Sequence, residues 1–264
     1  DKQWAGLDDW KSALDEHYST AEFMLGVNQV PVHQPSDDII KSLADDFGVP
    51  ESYRKTNVGI YFGPDPENSK GVPAGDPFFG GAGPERSTCK QCGSCMMGCR
   101  FGAKNTLVKN YLWFAEKMGV KVSPLRTVTD IRPIPTESGM RDGSGGYEVE
   151  SVRSGAWFFK GRKVQRAKGV VVAAGALGTN RLLANCKLGS SLPRLSDRLG
   201  ELVRTNSEAI LAATAADDSV DYSTSAAITS SFYPDEHTHI ENVTYGHGGD
   251  AMGTIEATIS ALNE

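Results

Sequence analysis

Residues 169–184 read Gly-Val-Val-Val-Ala-Ala-Gly-Ala-Leu-Gly-Thr-Asn-Arg-Leu-Leu-Ala, and the fold prediction starts from this stretch. Its first six residues are small or β-branched and apolar, which is typical of a strand buried on both faces. Residues 175–179 then turn directly into a helix through residues 180–184. A buried strand, a glycine turn and a helix form half of a nucleotide-binding βαβ unit, although an ordinary strand–helix turn shows the same pattern. The stretch therefore predicts an α/β fold.

Helices and strands are predicted on both sides of this unit. Apolar residues spaced by three and four predict helices at 7–25 and 107–118. Ser36 is expected to cap a shorter helix at 37–47. Alternating or β-branched residues predict strands at 57–62, 120–134, 147–152, 157–164, 203–213 and 226–230. The class is a mixed α+β arrangement around the α/β unit, without an internal repeat.

Composition excludes several classes of protein. The chain has 264 residues, a net charge of −6 and 39% hydrophobic residues, as in ordinary globular proteins. Its longest apolar stretches are a few residues, so no transmembrane segment is expected. A mildly acidic surface argues against a nucleic-acid partner. The chain begins at Asp1 without Met or a signal-peptide pattern, so we expect a processed or truncated product, whose localisation stays open.

Four of the five cysteines lie within eleven residues, at Cys89, Cys92, Cys95 and Cys99. Their spacing matches the ligand run of a ferredoxin-type iron–sulfur cluster. However, Arg100 stands where ferredoxins usually have Pro, and no second run exists in the sequence. A zinc site usually pairs two such units a dozen or more residues apart. The alternatives at this point are structural thiols or local disulfides, an iron–sulfur cluster, and zinc or redox chemistry.

The sequence holds no complete standard catalytic motif. It lacks Gly-x-Ser-x-Gly, His-Glu-x-x-His, a P-loop and a Gly-x-Gly-x-x-Gly after a strand. His237, His239 and His247 could serve a metal, but a surface loop beside acidic residues explains them more simply. We therefore assign no metal ligand.

The order of the motifs is more specific than any one of them. In sequence order they are Asp76-Pro-Phe-Phe-Gly-Gly-Ala-Gly-Pro-Glu-Arg86, Cys92-Gly-Ser-Cys-Met-Met-Gly-Cys-Arg-Phe-Gly-Ala-Lys-Asn-Thr106, Asn110-Tyr-Leu112, Ala174-Gly-Ala-Leu-Gly-Thr179 and Leu199-Gly-Glu-Leu-Val-Arg-Thr-Asn206. This series resembles the interior of a glucose–methanol–choline (GMC) FAD-dependent oxidoreductase, in the cholesterol-oxidase-like branch. The resemblance covers nearly the whole chain.

The resemblance implies an FAD/NAD(P)-binding domain of the glutathione-reductase-like type, discontinuous in sequence and interleaved with a β-sheet substrate domain. Residues 1–100, with the cysteine loop, would belong to the substrate domain. Residues 101–246 would form the middle portion of the FAD-binding domain, and residues 247–264 would begin the returning substrate domain. On this interpretation the fold is incomplete in the chain, which would be an internal fragment.

The activity implied by the resemblance is oxidation of the CH–OH group of an alcohol or sterol by hydride transfer to FAD. Oxygen or another electron acceptor would reoxidise the flavin. The family's pyrophosphate-binding glycine motif and its catalytic histidine are expected before Asp1 and beyond Glu264, so the fragment alone should be inactive. Two alternatives are an iron–sulfur electron-transfer module built on the four cysteines and a non-catalytic binding remnant.

The family pattern places four cofactor-binding residues in this sequence. Val128 matches a strand residue whose backbone meets the adenine edge. Ala174 and Gly175 match the turn that packs on the adenosine, and Asn206 lies near the flavin end in the relatives. Glu241 matches a carboxylate close to the flavin less well. Several branches carry the same cysteine run while using only FAD, which favours a structural role for the cysteines.

Overall fold

The computed structural model describes residues 4–203, 207–213, 215, 217 and 219–249. The chain divides into two compact units: unit 1 contains Asp1–Val120 and Ala212–Glu264, and unit 2 contains Lys121–Leu211. Compactness alone does not show which unit holds a cofactor. The assignment of residues 1–100, 101–246 and 247–264 to substrate and cofactor domains therefore stays a prediction.

Four α-helices, three short 3₁₀ helices (Pro50–Ser52, Ser94–Met97 and Leu107–Lys109) and ten strands make up the described regular structure. The helices are α1 (Trp10–Leu25), α2 (Pro35–Asp46), α3 (Tyr111–Lys117) and α4 (Gly175–Leu188). The strands are β1 (Asn28–Gln29), β2 (Arg54–Lys55), β3 (Asn57–Val58), β4 (Pro73–Ala74), β5 (Arg86–Ser87), β6 (Arg126–Pro133), β7 (Tyr147–Arg153), β8 (Lys163–Ala167), β9 (Ser230–Asp235) and β10 (Thr238–Glu241). In the part of the chain that the structure describes, no helix is long and apolar enough to cross a membrane. The mixed α/β class predicted from the sequence is confirmed.

The helices of unit 1 begin where local hydrogen bonding allows. The Asp9 carboxylate accepts the Ser12 backbone N–H and starts α1, which ends at Gly26 with a φ of 57°. The predicted cap of α2 was wrong: Ser36 lies inside the helix, and Gln34 is the cap. Pro35 suits the first helical position because it has no N–H to leave unpaired.

Unit 1 has small antiparallel sheets and two apolar clusters. Strands β10, β9 and β2 form one sheet in that order, and β1 pairs with β3. The first cluster comprises Val30, Val32, Ile60, Phe62, Cys89, Ala103 and Ala226, and the second comprises Ile40, Ala44 and Phe232. Helix α2 packs on β9. The strand predicted at 57–62 is limited to β3, and the strand predicted at 226–230 begins only at Ser230.

A buried polar network joins α2 to the sheet of unit 1. The fully buried Asp37 carboxylate forms an ion pair with Lys55 and accepts a hydrogen bond from Thr229 Oγ1. Asn242 Oδ1 accepts the backbone N–H groups of Thr229 and Ser230, at 3.1 and 3.0 Å. Burial acts to raise the pKa of Asp37, but the hydrogen bonds outweigh it and the pKa lies below its ordinary value. This network ties segments almost 200 residues apart in sequence.

Unit 2 is a three-stranded antiparallel sheet with one helix against it. The strand order is β6-β7-β8, and α4 packs on β6. The hairpin predicted from 147–152 and 157–164 exists, although its second strand is Lys163–Ala167 rather than 157–164. The loop between them is therefore longer than the sequence pattern suggested.

The strand predicted at 169–174 was wrong for this chain. These residues have no strand pairing, and the Val171 side chain is 92% exposed. A central strand requires hydrogen-bonded neighbours on both sides, and the described part of unit 2 offers none at this position. The described residues of the strand predicted at 203–213 also have no regular structure. An apolar pattern alone does not form a strand where the described residues supply no partner strand.

The buried network leads to a stability prediction. The Asp37→Asn variant should lose about 2 kcal/mol of unfolding free energy, because it leaves the Lys55 ammonium without its counter-ion. Since the folded pKa of Asp37 is lowered, its contribution should be full above about pH 4 and should disappear as the pH falls below that value. Urea titrations between pH 7 and pH 3 measure both effects. The exposed neighbour Asp38 serves as the control. An equal loss of unfolding free energy in Asp38→Asn would contradict the role given to the buried Asp37.

Candidate cofactor-binding site

The start of α4 is an open glycine turn. Gly175 has a φ of 73°, a backbone conformation that residues other than glycine rarely adopt. A Cβ added at Gly175 would meet no atom within 4 Å, so the backbone faces open space there. The first turn of α4 carries no acidic residue. Because the first N–H groups of a helix lack intrahelical partners, this end favours an anionic ligand.

The neighbouring Ala174 closes this turn. Ala174 precedes the first residue of α4, and its backbone N–H donates to Thr179 Oγ1 at 3.1 Å. The Asn180 side chain donates to the Ala176 carbonyl at 2.7 Å. These two bonds fix the local path of the chain with only small side chains at the turn. A ligand could therefore approach the backbone closely.

Val128 lies on the strand against which α4 packs. It pairs with Ser151 of β7, and the pairing register shifts between Val128 and Asp130. Asp130 connects the strand to the helix, because its carboxylate accepts a hydrogen bond from Ser191 Oγ and lies 3.6 Å from the Cys186 sulfur. The structure thus places Val128 on one element, and Ala174 with Gly175 on the other, of a packed strand–helix pair.

The remaining residues suggested by the sequence are less informative. Asn206 lies outside the described residues. Glu241 is an exposed residue of β10 in unit 1 and pairs with Ser231 in the antiparallel ladder. Its surroundings contain no feature that indicates a cofactor contact. The strand–helix pair in unit 2 is therefore the better defined candidate site.

The four clustered cysteines line one narrow cavity in unit 1. This cavity has a volume of about 20 Å³, about that of one water molecule. All four are free thiols: Cys89 is buried, Cys95 is partly buried, and Cys92 and Cys99 are exposed. A backbone bridge between Cys92 and Ser225 holds the loop against the returning chain. The described residues contain no group of three or more His, Cys, Asp or Glu side chains placed to hold a metal ion.

Two of these thiols belong to the core of unit 1. Cys89 and Cys95 pack in the first apolar cluster. Burial raises the pKa of Cys89 to about 11 and also raises the pKa of Cys95. Cys89 and Cys95 thus have a packing role, whereas Cys92 and Cys99 are exposed.

The glycine-rich loop before the cysteines is ordered by one carboxylate. Asp76 accepts the backbone N–H groups of Phe78, Phe79, Gly81 and Gly83, at 2.8–3.1 Å. Burial raises its pKa, but these four donors outweigh burial and lower the pKa overall. Sequence reasoning missed this role, although Asp followed by a Gly-rich stretch is a known signal for side-chain-ordered turns.

Phe78 and Phe79 are fixed by this loop in an aromatic group. The Phe79 ring lies 5.0 Å from Phe114 and 5.8 Å from Phe23, measured between ring centroids in edge-to-face arrangements. Phe78 lies 5.7 Å from Tyr61 and lines a groove of about 490 Å³ between α1 and β3. The sequence analysis did not identify this groove.

Buried amides behind the loop have unused hydrogen-bonding capacity. Asn105 Oδ1 accepts a hydrogen bond from the buried Arg86 guanidinium at 2.9 Å. The Nδ2 atoms of Asn105 and Asn110 are buried and lack a hydrogen-bond partner among the described residues. Buried polar atoms are usually paired, so these two are candidates for contact with a ligand or water. Both occur in the motifs that carried the family resemblance, but no role was assigned to them there.

Sequence comparisons relate the chain to one family of enzymes. Residues 83–201 match the family model described as "GMC oxidoreductase", and this range includes the cysteine loop, Val128 and the start of α4. Over this range the chain is similar to GMC oxidoreductases. The predicted resemblance to GMC oxidoreductases of the cholesterol-oxidase-like branch is confirmed.

Curated relatives support the same branch. A cholesterol oxidase of Mycobacterium tuberculosis (strain H37Rv) is 44% identical over 262 residues, which is 98% of this chain and 44% of that relative. A cholesterol oxidase of Acinetobacter baumannii is 45% identical over 252 residues, 96% of this chain and 45% of that relative. The chain thus spans less than half the length of these GMC relatives. No solved structure matches it significantly.

The cysteine cavity leads to a prediction about thiol reactivity. At pH 8 about one in a thousand Cys89 thiols should be ionised, given its raised pKa, whereas an ordinary thiol is partly ionised. Iodoacetamide should therefore label the exposed Cys92 and Cys99 at least tenfold faster than Cys89. Time-resolved peptide mass spectrometry measures the three rates. Comparable labelling of Cys89 in folded protein, checked by circular dichroism, would contradict the buried structural role.

Proposed function

We propose that the chain is part of an FAD-dependent oxidoreductase that oxidises the CH–OH group of an alcohol, with a sterol as the preferred class. The observation that carries this proposal is the open glycine turn at Gly175, which lies within the range matched to the GMC family. The relatives named as cholesterol oxidases favour a sterol over a small alcohol. Oxygen or another electron acceptor would complete the cycle.

The residues at this turn fit a dinucleotide cofactor. Gly175 leaves space where any other residue would place a Cβ, and Ala174 adds only a methyl group. Unpaired N–H groups at the start of α4 suit the negative charge of such a cofactor. Val128 would contribute its backbone to the adenine edge, and Asn206 would lie near the flavin. FAD, when bound, would supply the acceptor for a hydride from the alcohol carbon.

We propose that unit 2 belongs to the FAD-binding domain, within residues 101–246, of the glutathione-reductase-like type. Its exposed apolar surface supports this proposal, since Val171 and Leu177 are 92% and 83% exposed. A parallel sheet in the longer protein would pair residues 169–174 and cover this surface. Residues 1–100 and 247–264 would then belong to the interleaved substrate domain.

No residue of this chain is assigned a catalytic role. The group that removes the hydroxyl proton of the substrate would lie beyond Glu264, in the part of the relatives that this chain does not match. The chain's own contribution would be to position the adenosine and, through the Phe78 and Phe79 loop, to wall the substrate side. The iron–sulfur alternative rests on the cysteine spacing and on the cavity that the four cysteines line, but the described residues contain no group of side chains placed to hold a metal ion.

The direct test is a longer version of the protein. The coding sequence is extended in both directions to the length of the relatives, and the product is purified and examined for flavin absorbance and for oxidation of cholesterol and primary alcohols. The proposal predicts about one FAD per chain and sterol-dependent reduction of the flavin. Stoichiometric iron and sulfide without flavin would favour the electron-transfer alternative, and absence of flavin after reconstitution would refute the proposal.

A matched pair of glycine variants tests the role of Gly175. Gly175 and Gly155 have φ values of 73° and 70°, and a Cβ at either position faces open space. Substitution by alanine should therefore cost both variants a similar stability, about 1 kcal/mol. In the longer protein only Gly175→Ala should also weaken FAD binding, by at least tenfold, because its methyl group intrudes on the adenosine. Fluorescence titration of the apoprotein measures the affinities, and equal FAD affinity in both variants would refute the contact.

A further inference from the structure

The β7–β8 hairpin carries a strong local positive charge on an acidic protein. Between residues 153 and 168 the sequence contains six basic residues and no acidic one, while the whole chain has a net charge of −6. The basic residues are Arg153, Lys160, Arg162, Lys163, Arg166 and Lys168. Such a concentration of one charge sign favours contact with an anionic partner.

Three consecutive aromatic residues form the tip of this hairpin. Trp157, Phe158 and Phe159 are 88%, 89% and 93% exposed. Leu125, which is 74% exposed, lies next to the start of this loop, because its carbonyl accepts the Ser154 backbone N–H. Large apolar side chains are seldom exposed together to this extent, and such a patch usually marks an interaction site.

The base of the hairpin loop holds the aromatic tip in place. The Arg153 backbone N–H donates to the Lys160 carbonyl at 2.7 Å and closes the loop. The Arg126 guanidinium donates to the Gly161 carbonyl at 2.7 Å, and Thr127 shares a hydroxyl hydrogen bond with Ser154. The tip therefore projects from an anchored loop.

Two cations beside the tip are available to a partner. Arg162 and Arg166 form ion pairs with Glu150 and Glu148 of β7, which offsets their charge. Lys160 and Lys163 are exposed, and neither belongs to an ion pair in the described part of the chain. An aromatic tip flanked by uncompensated lysines is the composition of interfacial membrane anchors.

We propose that the Trp157–Phe159 tip inserts into the surface of an anionic lipid bilayer, with Lys160 and Lys163 contacting the lipid headgroups. Lipid fits better than nucleic acid, because three adjacent apolar rings at one tip can insert together. Single-stranded nucleic acid instead requires aromatic platforms along a basic groove. This proposal is independent of the flavin proposal, since it needs neither cofactor nor activity.

The test measures partition of the 264-residue chain onto vesicles of phosphatidylcholine, with or without about 30% phosphatidylglycerol. Binding should require the anionic lipid and should weaken with salt. The K160Q/K163Q variant should bind about 25-fold more weakly, at about fivefold for each charge. The W157S/F158S/F159S variant should bind anionic vesicles at least tenfold more weakly than the wild type. The controls K11Q/K41Q and L188S alter exposed residues elsewhere and should bind like the wild type.

Tryptophan fluorescence shows whether the tip itself enters the bilayer. The emission of the wild type should shift to the blue on anionic vesicles, and W157F, which retains an apolar ring, should bind within about threefold of the wild type but lack that shift. Equal binding to neutral and anionic vesicles would overturn the proposal, as would wild-type binding of both K160Q/K163Q and W157S/F158S/F159S. A blue shift that persists in W157F would also overturn it. So would tighter binding of a single-stranded oligonucleotide that is lost in the same variants. The same vesicle assay on the longer protein would overturn it for the whole enzyme if binding disappeared there.

Discussion

The Asp130 carboxylate holds α4 against β6, and the candidate cofactor site depends on this contact. Asp130 lies 3.6 Å from the sulfur of the buried Cys186 near the C-terminal end of α4 and accepts a hydrogen bond from Ser191, just beyond the helix. Gly175 lies at the other end of the same helix. The contact therefore joins the strand that carries Val128 to the helix that begins at the glycine turn.

Much of the local structure could be predicted from the sequence because it depends on near neighbours. The spacing of apolar residues by three and four predicted α1, and the strand pattern predicted the β7–β8 hairpin, although its loop is longer than predicted. Residues 169–174 show the limit of such patterns. Their β-branched residues favour a central strand, but a strand forms only when neighbouring strands supply hydrogen bonds. That requirement involves residues distant in sequence, which no local pattern contains.

The candidate site shows the same division. The glycine turn before α4 was predicted from the strand–helix pattern, and the cofactor role of Ala174 and Gly175 was assigned from the resemblance to GMC oxidoreductases. The buried amide of Asn105 and the Asp37 network were missed, because their partners lie far away in sequence. The Asp76 loop was also missed, although its partners lie within seven residues and Asp before a Gly-rich stretch is a local signal. The cysteine run was the opposite case. Its spacing suggested ligands, whereas the structure packs Cys89 and Cys95 in the core of unit 1 and leaves Cys92 and Cys99 exposed.

The central proposal is that residues 169–174 form a strand of an FAD-binding domain and that the start of α4 contacts the cofactor. Hydrogen exchange of the backbone amides of residues 170–176 tests it most directly, measured in the 264-residue chain and in the longer protein with and without FAD. We predict rapid exchange in the chain alone, slow exchange of residues 170–174 in the longer protein, and further protection of Gly175 and Ala176 when FAD is added. Rapid exchange of all these amides in the longer protein with FAD present would contradict the account.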